Sequence, residues 1–266
     1  MGVHTKISLE DLKPFFDVDS LQETNHGNTD TVYILNDDYI LKIYETNSFE
    51  NIKAEVEILG LCESLCVPHI KKDCFKIKDK YALIFSRGKG KSLEKANIQH
   101  LEQIANFLKK FHLLTKGKKL NIKSSYNNEN IKLLIDKTNH QTFKEIYDSL
   151  NLKLNDDGII HGDLFLDNAT FLENKLECVF DFSDACNGDF LFDLAVIALS
   201  WCEDKKSIEH LLNFYDSSVS LEVFEKYIRY ASLYYCVKRY LENRNYEDII
   251  FEKKFKEFIQ IGKEIG

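Results

Sequence analysis

Residues 161–168 read HGDLFLDN, and an Asp-Phe pair, Asp181-Phe182, follows thirteen positions after the asparagine. An aspartate, an asparagine five residues on and a second aspartate beyond a short turn suit phosphoryl transfer from ATP. That reaction asks a protein for alignment and charge neutralisation more than for covalent chemistry. Asp163 suits the orienting of an attacking hydroxyl and the taking of its proton. Asn168 and Asp181 offer hard oxygen ligands of the kind Mg2+ takes alongside phosphate and water. Each of these residues alone is ordinary, because Asp and Asn are common in turns. What carries the reading is their joint placement around one hairpin.

A cation for the phosphates is available in Lys42 of YILKIY, where strand alternation puts it on the face of Ile40 and Tyr44. Glu55 on the following helical segment would hold it as an ion pair, although Glu57 lies close by and helix register decides which carboxylate faces inward. The segment NHGNTDT, residues 25–31, precedes the first hairpin strand, and Gly27 and Asn28 would cover phosphates with backbone amides. Asp30 in the same segment is an anion where phosphates would lie. The expectation is that its side chain turns outward or that the loop binds nucleotide differently.

These residues need a scaffold, and the pattern supplies one. TVYIL and YILKIY flank Asn36-Asp37-Asp38 as a hairpin, Ser48 to Ser64 reads as a helix, and CFKIK with YALIF forms another strand pair. From Ser92 onward the periodicity turns helical, with Leu101, Ile104, Ala105, Leu108, Phe111 and His112 at helical spacing over Ile98 to Thr115. One stretch interrupts it: Gly158 opens a short strand, a loop carries the charged residues, and ATFL faces LECVF across Glu173-Asn174-Lys175. Helices resume near Leu191. The expected class is α+β with two lobes, residues 1–86 forming a small antiparallel sheet with one helix and residues 87–266 a mainly helical lobe.

Composition bounds the partners. In 266 residues with 44% hydrophobic and 29% charged side chains, a soluble globular chain with a sizeable core is expected. A net charge of −8 argues against nucleic acid or an anionic membrane as the main partner and for a small polar substrate. The start MGVHTKISLEDL lacks a basic segment followed by an apolar run, and the most apolar stretch, Phe190 to Cys202, is too short to span a bilayer, so a cytoplasmic location is expected. Seven scattered cysteines suggest neither a disulfide framework nor a zinc site, Cys62 and Cys66 included.

HGDLFLDNATF followed by DFSDACNGDFLFDLAVIALSWC resembles the aminoglycoside phosphotransferase and choline kinase superfamily, which shares the protein-kinase fold. Within it the chain is most similar to type II homoserine kinases, through HGDLFLDN, DFSDAC, FDLA and, at the end of a helix, FHLLT. The resemblance implies a two-lobed kinase-like fold with ATP and Mg2+ between the lobes. It implies that Asp163 is the catalytic base, that Asn168 and Asp181 hold the metal, and that Asp193 steadies the catalytic loop from within. His161 would pack and hydrogen-bond under that loop rather than carry protons, and Phe85-Ser86-Arg87 would present backbone groups to adenine.

For the acceptor, Asp184 either meets a cationic amino group or is simply solvated. The late helix ASLYYCVKRYLENR places Arg239 where the family has its second arginine, whereas Tyr234 stands where the first would be. Tyr227, Tyr230, Tyr234 and Arg239 would otherwise form an amphipathic surface. The implied activity is ATP-dependent phosphorylation of a small-molecule hydroxyl, foremost that of L-homoserine. A choline-like, aminoglycoside or sugar acceptor is the alternative, and a silent nucleotide-binding kinase fold is a further one. No APE segment follows Asp181, and Asp193 arrives twelve residues later, which argues against protein substrates.

Overall fold

The structure, a computed structural model, describes residues 4–24 and 29–255. Gly27 and Asn28, expected to cover phosphates, lie outside the described residues. The chain begins with a short helix α1 (Leu9–Leu12) and strands β1 (Leu21–Glu23), β2 (Thr31–Leu35) and β3 (Tyr39–Tyr44), continues through α2 (Phe49–Leu61), and adds β4 (Ile70–Ile77) and β5 (Lys80–Ser86). All five strands make one antiparallel sheet in the order β1-β2-β3-β5-β4. The β4–β5 hairpin turns through Lys78 and Asp79, both at positive φ, the geometry a two-residue hairpin loop demands.

Period-two alternation gives the sheet two unlike faces. Leu41, Ile43, Ala82 and Ile84 point to one side and bury against Leu12, Val18 and Tyr33. Tyr44, Leu83 and Phe85 point to the other and join α2 in the main core. Lys42 lies on this second face, between Ile40 and Tyr44. Helix α2 is capped by the Ser48 hydroxyl, which accepts from the Asn51 amide at 3.3 Å. Its inward stripe is Ile52, Glu55, Ile58 and Leu59, so the carboxylate of Glu55 is carried into the core by the same spacing that buries the aliphatic residues.

The remainder is mostly helical: α3 (Ile98–Thr115), α4 (Asn128–Thr138), α5 (Gln141–Leu150), α6 (Phe190–Trp201), α7 (Lys205–Tyr215), α8 (Leu221–Leu241) and α9 (Phe251–Lys254). Helix α3 packs on α7, and α6 on α8. Four short strands interrupt it: β6 (Gly158–Ile160), β7 (Ala169–Leu172), β8 (Lys175–Val179) and β9 (Cys186–Gly188). β7 pairs with β8, and β6 with β9. The segment carrying HGDLFLDN therefore leaves β6 and enters β7, while the segment carrying Asp181 to Asp184 leaves β8 and enters β9. Both loops spring from one doubly paired base. Among the described residues no helix is long and apolar enough to cross a membrane.

Candidate active site

The HGDLFLDN segment is held from below by α6. Asp193, fully buried, accepts from the His161 amide at 2.8 Å through Oδ2 and from the Gly162 amide at 2.8 Å through Oδ1. His112 at the end of α3 adds a third contact, its Nε2 lying 3.0 Å from Asp193 Oδ2 while its Nδ1 meets the Tyr215 hydroxyl at 2.7 Å. Burial opposes charge on Asp193, but the His112 contacts and the backbone amide outweigh it and hold the carboxyl below its usual range. His161 uses both ring nitrogens: Nε2 lies 3.1 Å from the Phe180 carbonyl, and Nδ1 accepts from the Asp163 amide at 3.3 Å. Burial lowers its basicity, and a neutral ring satisfies both contacts. It has no free nitrogen for a proton relay.

Gly162 has φ +81°, and a side chain there would meet the Tyr126 ring at 2.3 Å. Any larger residue would be both strained and obstructed. The turn at Gly162 delivers Asp163, and Asn168 fixes it: Nδ2 donates to the Asp163 carbonyl at 2.7 Å and to its Oδ2 at 3.1 Å. With its amide nitrogen committed, Asn168 has its oxygen to offer. Burial, reinforced by Asp184 and opposed by Lys238, pushes the Asp163 carboxyl up to about 7.

Across from it stands Lys42, with its Nζ 2.8 Å from Asp181 Oδ1, 3.4 Å from Glu55 Oε1 and 3.7 Å from Asp30 Oδ2. Register decides the glutamate question in favour of Glu55, since Glu57 is exposed. The Tyr44 hydroxyl donates to Glu55 Oε2 at 2.7 Å. Burial works against charge on Asp181, yet Lys42 and the Ser183 hydroxyl hold its carboxyl well below the ordinary range. Burial raises Glu55 and Asp30, with Lys42 opposing in each case.

One expectation needs correction. Asp30 does not turn outward: it is 7% exposed and accepts from the Glu45 amide at 3.1 Å, because Lys42 and that amide offset its desolvation. Of the Phe85-Ser86-Arg87 backbone groups expected to meet adenine, two amides are used within the fold. The Ser86 and Arg87 amides donate to the His69 and Asp38 carbonyls, each at 2.8 Å, Phe85 is paired on both strand edges, and the Arg87 guanidinium is bound to Asp37.

Three residues beyond Asp181, Asp184 Oδ2 lies 3.2 Å from Lys238 Nζ of α8. Arg239 points elsewhere, with its NH1 3.1 Å from each Asp248 oxygen. Tyr227, Tyr230 and Tyr234 are buried rather than a surface. Sequence reasoning missed Lys238, although it sits one helical turn beyond Tyr234 on the same face. It also missed Tyr126, which carries no local signal, and Tyr235, whose hydroxyl is bonded to the Gly162 carbonyl.

The donors present would fit a divalent metal. Asp181 is an ionised carboxylate, and Asn168 presents an amide oxygen. Both are hard oxygen donors of the kind Mg2+ takes, and they would hold it.

The profile of the phosphotransferase enzyme family matches residues 20–216, spanning both the sheet and the loops just described. The chain belongs to that family. Homoserine kinases of Methylobacillus flagellatus and Agrobacterium fabrum are similar to it at 26% identity (76% of this chain, 72% of the relative) and 25% identity (77% and 73%). Among solved structures, the choline kinase LicA from Streptococcus pneumoniae superposes with a TM-score of 0.68 at 17% identity, covering 88% of this chain and 89% of that one. APH(2")-IIa in its streptomycin and ATP ternary complex superposes with a TM-score of 0.64 at 19% identity, covering 93% and 100%. At those identities the likeness is one of fold, the kinase-like fold expected of a family member. The family makes the protein a small-molecule phosphotransferase.

Proposed function

We propose that this phosphotransferase moves the γ-phosphoryl group of ATP to the side-chain hydroxyl of L-homoserine, with Mg2+ as cofactor and Asp163 as the base. The carrying observation is Asp163 itself, a carboxylate oriented by Asn168, set on a loop clamped by Asp193 and pushed up to about 7. A base of that strength is ionised in about half of molecules at neutral pH and still holds a proton usefully. The acceptor oxygen forms a bond to the γ-phosphorus as the bond to the β–γ bridging oxygen breaks; the hydroxyl proton passes to Asp163 and then to solvent, leaving ADP and a phosphomonoester.

Asn168 and Asp181 would hold the metal, which when bound neutralises charge on the phosphates. Lys42 contributes a second positive charge, kept available by Glu55. Homoserine is favoured by the two relatives aligned along some three-quarters of this chain. The test is ATP consumption by the purified protein over homoserine, choline, ethanolamine, aminoglycosides and hexoses. Turnover of homoserine above all others is expected, and turnover confined to another class would replace this acceptor.

A further inference from the structure

The machinery around Asp163 leaves one charged pair without a structural task. Asp193, His161 and His112 hold the catalytic loop, and Lys42, Glu55 and Asp181 form the opposite wall. Asp184 and Lys238 do neither, yet they stand beside Asp163. Asp184 follows Asp181 by three residues on the same loop. Lys238 is delivered by α8, which is fastened to the catalytic loop just before it: the Tyr235 hydroxyl bonds the Gly162 carbonyl, and the Tyr235 ring meets Phe165 edge-on at 4.7 Å. Tyr234 packs on Tyr126 at 4.8 Å. The helix cannot shift at this point without moving the loop. Both charged side chains remain accessible, 33% for Lys238 and 39% for Asp184, as Asp181 also is, whereas Lys42, Glu55, Asp193, His161 and His112 are buried.

An α-amino acid carries an ammonium and a carboxylate on one carbon. A pair of opposite charges 3.2 Å apart, partly open to solvent, is the complement of such a head group, which can replace the intramolecular contact with two intermolecular ones. A sugar would meet this pair only through neutral hydroxyl hydrogen bonds, and a quaternary amine or aminoglycoside would satisfy the aspartate while being opposed by the lysine. Arg239 is already taken by Asp248.

We propose that Lys238 and Asp184 together read the zwitterionic head of the acceptor, Lys238 binding its carboxylate and Asp184 its ammonium. This rests on the amino-acid alcohol reading of the function and adds a specificity-determining residue to it. The experiment compares kcat/KM for L-homoserine, 3-aminopropan-1-ol (no carboxylate) and 4-hydroxybutyrate (no ammonium) in wild type, K238M, K238R and D184N. Wild type prefers homoserine to both analogues. K238M lowers its preference over 3-aminopropan-1-ol by about tenfold or more, through KM, and K238R restores much of it. D184N instead erodes the preference over 4-hydroxybutyrate.

A thermal shift with Mg2+ and ATP in each variant shows that the fold and the nucleotide site survive. Wild-type preference for homoserine with an unchanged ratio in K238M overturns the role of Lys238 and leaves the acceptor reading standing. Wild-type preference for an acceptor lacking either charge overturns both.

Discussion

Asp163 shows what a single residue can reveal of a reaction and what it costs the fold. Its carboxyl is pushed up to about 7, chiefly by burial, so in the nucleotide-free enzyme the ionised form fades as pH falls. If Asp163 is the base, kcat/KM for the acceptor drops about tenfold per unit below pH 7. Asp163→Asn abolishes that limb and cuts turnover by about a thousandfold or more, while ATP binding persists; unaltered turnover would remove Asp163 from the mechanism. The same shift has a stability consequence of the opposite sense. A carboxyl whose folded pKa lies above its unfolded value favours the fold while protonated, and that contribution is lost as pH rises from about 4 through about 7. Asp163→Asn is therefore expected to melt higher than wild type at pH 8, by up to a few kcal/mol, with the gap closing towards pH 4. Asp30 offers a second test at this scale. An anion 3.7 Å from Lys42 opposes phosphates at the same ammonium, so Asp30→Asn should lower the KM for ATP by about fivefold. A raised KM would mean that Asp30 positions Lys42 instead.

The loops that carry these residues are legible in the sequence to different degrees, for physical reasons. Hairpin β7–β8 is announced by alternation on each side of Glu173-Asn174, and α3 by its apolar stripe, because both signals are local. The pairing of β6 with β9 is not announced: each strand has three residues, too few to show a period, and their partners lie across an intervening hairpin. That pairing brings Asp184 beside the loop bearing Asp163. Lys238 was hidden for the same reason, since only the packing of α8 against Gly162 makes it a neighbour of Asp184. Helix α6 shows how an element can hold a site: Asp193 sits on an otherwise apolar helix and reaches the two backbone amides through separate oxygens. Asp193→Asn keeps the shape but offers one acceptor oxygen and an NH2 group that would face an N–H. A loss of about 2–4 kcal/mol in stability and at least a tenfold fall in turnover are expected, read from urea unfolding and steady-state kinetics. Wild-type stability would show that the loop is held by other contacts.

At the scale of the molecule, Lys42 ties parts of the chain 139 residues apart, joining the sheet to the loop before β9 through Asp181. Three carboxylates converge on this one ammonium, from Asp30 just before β2, from Glu55 of α2 and from Asp181, in a region where the main core runs without interruption from the sheet's inner face into the helical body. Lys42→Met would leave them facing one another with no positive partner. Removing one member of a buried ion pair costs about 3–5 kcal/mol, and the half-exposed Asp181 places this case near the lower end. The pH dependence separates electrostatics from packing. Asp181, held well below the ordinary range, contributes stability that is present above its unfolded value and lost as pH falls towards its folded one. Glu55, raised by burial, is relieved by protonation over the acidic range. Both effects make the deficit of Lys42→Met largest near neutrality and smaller below about pH 4, where unpaired carboxylates protonate. Thermal unfolding of the two proteins across that range measures it. A deficit that stays constant with pH would mean that the aliphatic stem of Lys42, rather than its charge, joins the two parts of the molecule.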